Sequence, residues 1–254
     1  DEICRSPLAR RISIAQALDL VPVLNEEFAR ECAFEPDAFD VDVHGLHQGF
    51  LRTARAAGTT LVCGARLTSA ERSAGVWQLQ TAMGHFRASV LVNAAGAWAD
   101  QVAVIAGAEP LGLQPLLRTA MIVNAPGPQS ASWPAVFAAD ESFYFKPDAG
   151  LLMASLADEK PSEPCDAQPD DFDVALCVDR MESRTTMRIN RVVRSWAGLR
   201  TFAPDRNPVV GFDSSREGFF WRAGQGGYGV QTAPALSEIA AALILDHQIP
   251  RHIL

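Results

Sequence analysis

The stretch GFFWRAGQGGYGVQT, residues 218–232, decides the fold class. An aromatic, apolar run over 219–223 predicts a buried strand. It feeds a turn over 224–229 holding four glycines, and a helix is expected from about Ala233 to Leu245. Glycine lets a backbone adopt positive φ and approach a ligand closely. The first amides of the helix that follows lack intrahelical acceptors and carry partial positive charge, which suits a phosphate or a developing anion. A tight strand-to-helix turn with glycines for packing alone satisfies the same pattern.

A second segment has the same grammar. VLVNAAGAWAD, residues 90–100, reads as the end of a buried strand over 86–93, a small-residue turn at Ala94, Ala95 and Gly96, and a helix over 97–106. Asn93 stands where a side chain can cap or turn the chain. Upstream, 12–23 and 42–57 read as helices, the second closed by Gly58. Residues 59–63 read as a buried strand, and 69–81 as a hairpin turning at Ser73-Ala74-Gly75. From 111 to 155 short β-like runs broken by Pro and Gly, such as LLRTAMIVNAP and SFYFKPD, predict an antiparallel sheet. A helix over 171–188 and strands over 192–201 and 208–212 complete the pattern. The fold class is α/β (α+β): part of a Rossmann-like domain, 1–110 with 201–254, interleaved with an antiparallel substrate-side domain, 111–200.

Composition narrows the function. The 254 residues carry a net charge of -8, and the pI is about 5.1. No basic stripe exists to neutralise phosphates, so nucleic acid is not an expected partner. No apolar run of transmembrane length occurs, so no integral membrane segment is expected. The five cysteines, 4, 32, 63, 165 and 177, form no C-x-x-C pair. They read as reduced thiols in a cytoplasmic protein. His44 and His47 share a helical face without further ligands, so no metal site is expected. The opening DEICRSPLAR is polar and is not a first strand, which suggests residues upstream.

Three polar side chains interrupt apolar runs: Arg118 in LLRTAMIV, Tyr144 in SFYFK and Arg200 in WAGLRTF. A cation in such a run needs a partner. An arginine fork matches a carboxylate, and a tyrosine hydroxyl adds a neutral donor. An arginine on a sheet's solvent face, or one paired to an internal acid, fits equally well.

Together VLVNAAGAWAD, SFYFKPDAG, WAGLRTFAPDRNPVVGF and GFFWRAGQGGYGVQT, in that order, resemble the D-amino acid oxidase superfamily of flavoproteins. HQGFLR, LGLQPLLRTA and SWAGLRTF look closest to the bacterial D-arginine and D-amino acid dehydrogenases. The resemblance implies FAD as cofactor and a D-amino acid as the small-molecule substrate, oxidised to its imino acid by hydride transfer. It leaves the electron acceptor open. It implies that Leu67 meets the adenine, that Ala94, Ala95, Gly96 and Trp98 lie near the adenosine and pyrophosphate, and that Gly226, Gly227, Tyr228, Gly229, Val230, Gln231 and Thr232 meet the isoalloxazine edge. Arg200, Arg118 and Tyr144 would hold the substrate carboxylate. Gly227 and Gln231 would face the amine, and Ala135 and Phe137 the side chain. Members begin with a βαβ unit carrying G-x-G-x-x-G, and no such unit opens these residues. The alternatives are glycine, sarcosine or 2-hydroxy-acid oxidation, or a flavin-free fragment.

Overall fold

The computed structural model describes residues 8–124 and 127–253. Cys4 and the opening heptapeptide lie outside these, as do Ala125 and Pro126 at the end of one expected strand run. The chain forms two compact units. Unit 1 comprises Asp1–Asp40, Leu117–Lys160 and Asp166–Leu199; unit 2 comprises Val41–Leu116, Pro161–Cys165 and Arg200–Leu254.

Unit 1 opens with β1 (Arg10–Ile12) and α1 (Ile14–Leu20). Ser13 and Gln16 form a reciprocal capping box at the start of α1. β1 pairs antiparallel with β2 (Cys32–Phe34). The rest is built on a six-stranded sheet. Its strands are β7 (Gln114–Val123), β8 (Val136–Phe137), β9 (Tyr144–Asp148), β10 (Leu151–Ser155), β11 (Lys160–Pro161) and β12 (Val192–Phe202), in the order β11-β7-β10-β9-β8 with β12 on β7. The unit boundaries fall inside β7, β11 and β12. The β9–β10 connection has two residues, Ala149 and Gly150, both at positive φ, as a right-twisted hairpin demands. Helix α4 (Asp171–Arg184) is capped by Asp170, which accepts the Phe172 amide. Met121, Val123, Phe143, Phe145, Leu152, Cys177 and Met181 form this unit's core.

Unit 2 carries α2 (Val43–Ala56), the antiparallel meander β3 (Leu67–Ser73), β4 (Val76–Thr81) and β5 (Gly84–Ala88), and a mixed sheet. In that sheet β6 (Leu91–Asn93) runs parallel to β14 (Phe219–Ala223), which pairs antiparallel with β13 (Val209–Phe212). Strands more than a hundred residues apart in sequence are thus neighbours, so the unit is interleaved with the other. Helix α3 (Ala99–Ala106) buries Ala99, Ala103 and Ala106 against Trp77, Phe219 and Trp221. Three alanines on one face bring its backbone close to the sheet, and Gly107, at φ 69°, ends it. Trp77 Nε1 donates to the Gly218 carbonyl at 2.9 Å, so the buried indole is satisfied. Helix α5 (Gly229–Ile244) completes the unit.

Three sequence expectations change. Residues 59–63 form no strand and are exposed; the Thr59 amide instead donates to the Ala54 carbonyl at 3.0 Å, at the end of α2. The expected strand over 86–93 is two, β5 and β6, in separate sheets. The helix expected from Ala233 begins at Gly229, with Pro234 inside its early turns. The α/β (α+β) class itself holds. Among the described residues no helix is long and apolar enough to cross a membrane.

Candidate functional site

In unit 2, β14 buries Phe219, Phe220 and Trp221 and stops at Ala223, where the glycine turn begins. Gly224 and Gly226 sit at φ 70° and 52°, the left-handed region that side chains avoid. The Tyr228 amide donates to the Gln225 carbonyl at 3.0 Å, closing the turn. Tyr228 then caps α5 without a side-chain hydrogen bond. The first helical bond is Thr232 N–H to the Tyr228 carbonyl, 3.1 Å, and the Thr232 hydroxyl donates to the same oxygen. The amides of Gly229, Val230 and Gln231 therefore precede the ladder and point out of the helix start. Tyr228 and Val230 are exposed there.

The end of β12 lies along this turn. A side-chain carbon added at Gly227 would meet Arg200 Nη1 at 3.1 Å and Cζ at 3.6 Å. The Gly226 amide donates to the Thr201 carbonyl at 2.9 Å. The structure thus brings Arg200, Gly226 and Gly227 together, with Tyr228 to Thr232 continuing from them.

The second segment builds a neighbouring feature of the same unit. Asn93 is buried; its Nδ2 donates to the Ala99 carbonyl at 2.8 Å and its Oδ1 accepts the Ala95 amide at 3.3 Å. This fixes the turn Ala94-Ala95-Gly96, with Gly96 at φ 56° and nothing within 4 Å of where its side chain would start. Next to the helix that follows is a cavity of about 360 Å³ lined by Arg66, Leu67, Trp98, Gln101, Val102 and Ile105. Leu67 and Trp98, both singled out from the sequence, share it. Arg66 and Gln101 do not stand out in the sequence, because an exposed polar residue carries no pattern of its own.

Arg118, Tyr144, Ala135 and Phe137 belong to unit 1. Arg118 Nε donates to the Asp158 carbonyl at 2.9 Å, and Nη2 lies 3.4 Å from Glu159 Oε1. Asp158, buried, accepts the Thr119 amide at 2.7 Å and the Thr119 hydroxyl at 3.1 Å, so it fixes the strand carrying Arg118. The sequence gives no hint of that role for Asp158, which sits in a polar stretch that reads as a surface loop. Tyr144 stacks on Phe137, ring centroids 5.2 Å apart, in the register that places Phe137 opposite Tyr144. Phe137 is 68% exposed and Ala135, just before β8, is exposed. Among the described residues no group of three or more His, Cys, Asp or Glu could hold a metal ion.

Comparison with known proteins adds the following. The family model described as FAD dependent oxidoreductase (DAO) matches residues 3–243. The chain is 25% identical over 248 residues to "Uncharacterized oxidoreductase YurR" of Bacillus subtilis (strain 168), covering 94% of this chain and 63% of that protein. It is 25% identical over 253 residues to mitochondrial dimethylglycine dehydrogenase of Homo sapiens, covering 91% of this chain and 29% of that protein. In structure it is similar to L-proline dehydrogenase from P. horikoshii (TM-score 0.82, 21% identity, 95% of this chain and 66% of that one). It is also similar to glycine oxidase from Geobacillus kaustophilus (TM-score 0.80, 23% identity, 96% and 67%). The chain therefore spans about two thirds or less of the length of these relatives, and the structural likenesses speak for the fold.

Proposed function

We infer the activity from one premise: this chain belongs to the DAO family of FAD-dependent oxidoreductases. It serves in an amine or amino-acid oxidoreductase, and the reaction assigned here is oxidation of a D-amino acid to its imino acid, which water then hydrolyses. The observation that carries this is the contact between the Arg200 guanidinium and Gly227 at the entry to α5. An arginine fork binds a carboxylate through two parallel hydrogen bonds. A glycine beside it leaves room for the guanidinium itself, where a larger side chain would displace the fork.

Two features of unit 2 fit FAD. The glycine turn and the outward amides of Gly229, Val230 and Gln231 offer a close backbone approach and a positive helix end to an electron-rich ring edge. The cavity holding Leu67 and Trp98, beside the open Gly96 turn, has the size and the apolar floor that an adenosine needs. When bound, FAD supplies the two-electron acceptor for the hydride from the substrate α-carbon. The protein's own part is orientation. Arg200 holds the carboxylate, and the turn 226–232 fixes the amine side through Gly227 and Gln231. The resemblance assigns Arg118 and Tyr144 as further donors to the carboxylate, and Ala135 and Phe137 to the side chain.

A second reading has one specific support, the relative named dimethylglycine dehydrogenase. It makes the substrate an N-methylated glycine, whose carboxylate Arg200 would hold in the same way. Anaerobic mixing of the FAD-loaded native polypeptide with a substrate panel separates the two. D-amino acids, their L-enantiomers, sarcosine, dimethylglycine and a 2-hydroxy acid are each tested for bleaching of the visible flavin band. Bleaching by D-enantiomers with silent L-enantiomers supports the first reading. Bleaching by dimethylglycine or sarcosine alone transfers the assignment to the second. No bleaching by any amine overturns both.

A further inference from the structure

We propose that Phe202 is a positioning residue for the candidate site, because its ring is the bed on which the glycine turn lies and so sets where Gly227 meets Arg200. The proposal deepens the reading above and rests on it. Four consecutive residues at the end of β12 and just beyond touch the turn in order. Arg200 Nη1 lies at Gly227, and the Thr201 carbonyl accepts the Gly226 amide at 2.9 Å. Phe202 forms a lone antiparallel bridge with Gln225. Its ring lies against the Gly226 α-carbon: a methyl group there would overlap Cε1 and stand 2.7 Å from Cδ1 and 3.0 Å from Cζ. Ala203 closes the row, its N and Cβ lying 3.4 and 3.5 Å from a methyl built at Gly224.

Two facts separate this from ordinary core packing. Phe202 is only 4% exposed, yet it belongs to neither of the two apolar cores. Its buried face is spent on the turn. The Arg206 guanidinium then covers the ring, 4.0 Å from its centroid, and holds the plane by a cation–π contact. A flat, rigid ring defines one height for the Gly226 backbone. A branched aliphatic side chain of similar volume does not, so the turn and Gly227 would settle at a different distance from Arg200.

The test is a split between KM and kcat in the FAD-loaded native polypeptide, with propionate as a dead-end carboxylate probe. Phe202→Leu is expected to raise KM and the propionate Kd about 10-fold and to change kcat by less than about 3-fold, since the clamp is displaced while the reacting groups stay. Arg206→Ala is expected to move both in the same direction by only about 2–5-fold. Gly226→Ala should abolish propionate binding. The double variant Gly226→Ala/Phe202→Ala should recover part of it, because the overlap is relieved although the left-handed strain stays. If Phe202→Leu does not fold, Phe202→Met, which refills the space without a plane, carries the same test. A wild-type propionate Kd in the folded Phe202 variant, or no recovery in the double variant, overturns the positioning role. An unchanged propionate Kd in Arg200→Ala instead overturns the underlying reading.

Discussion

The Arg200 guanidinium lies over Gly227, where even one added carbon would come within 3.1 Å of Nη1. Gly227 is not at positive φ, so an alanine there meets no backbone strain; its only obstacle is the tip of a flexible side chain. Gly227→Ala is therefore expected to cost less than about 1 kcal/mol of stability, since Arg200 yields by a few tenths of an ångström. The same displacement spoils a two-pronged clamp, and KM for the amino acid should rise about 10-fold. Thermal unfolding and steady-state kinetics on one preparation check both halves. An unchanged KM would show that the seating of Arg200 against Gly227 does not set carboxylate binding.

Replacing Arg200 tests charge against shape. Arg200→Lys keeps a cation but loses the planar fork, and Arg200→Ala loses both. The expected fall in kcat/KM is about 10-fold for lysine and at least about 100-fold for alanine, the latter being the loss of ~3 kcal/mol of charge-assisted binding. If the two variants behave alike, bidentate geometry is not what Arg200 contributes.

The contact between Arg200 and Gly227 also marks how far the chain could be read unaided. The strand over 219–223 is legible because three successive aromatic residues, Phe219, Phe220 and Trp221, stand shortly before a run of glycines. The start of α5 is not. Proline favours the first helical position, and Pro234 stands beside the expected start at about Ala233, whereas the turn bond from Tyr228 to Gln225 sets it at Gly229. Residues 59–63 are apolar enough for a strand, but strands need partners, and partners come from the fold. Arg200 and Gly227 are each visible in the sequence as oddities, a cation in an apolar run and a glycine among glycines. Phe202 and Asp158 are ordinary residues for their segments. Their roles exist only through what they touch: the Gly226 backbone in one case, Thr119 in the other.

Asn93 is expected to be a stability determinant that also governs cofactor retention. It is 1% exposed and satisfies both the Ala99 carbonyl and the Ala95 amide, one on each side of the Gly96 turn. Asn93→Ala leaves both groups without that partner, the Ala99 carbonyl in a buried position. The cost is about 2 kcal/mol, and the expected fall in Tm is about 4–8 °C. Because the turn loses its tie, the FAD-to-protein ratio after gel filtration should fall as well. A variant with lower Tm and full FAD content would confine Asn93 to folding; an unchanged Tm would remove even that role.

Cys177 gives unit 1 a pH signature. It is fully buried in the core with Met181 and Leu152, and burial pushes its thiol up from 9.0 to about 12, despite the opposing pull of Arg180. An exposed thiol in the unfolded chain ionises near its ordinary value, whereas the folded one keeps its proton. Between 9.0 and about 12 the unfolded state therefore binds fewer protons than the native state, and stability falls as pH rises. Below that window the contribution is fully present. Each pH unit inside it removes up to about 1.4 kcal/mol. Cys177→Ala is expected to lower stability by about 1 kcal/mol at neutral pH through lost packing, and to flatten the alkaline limb relative to the native chain. Chemical denaturation at a series of alkaline pH values reads the difference directly, and the other ionising groups cancel in the comparison. In the native chain the exposed Cys63 and Cys165 should react with a thiol reagent at once, and Cys177 only on unfolding. An alkaline limb of equal slope in both proteins would mean that the buried thiol is not what makes the fold sensitive to base.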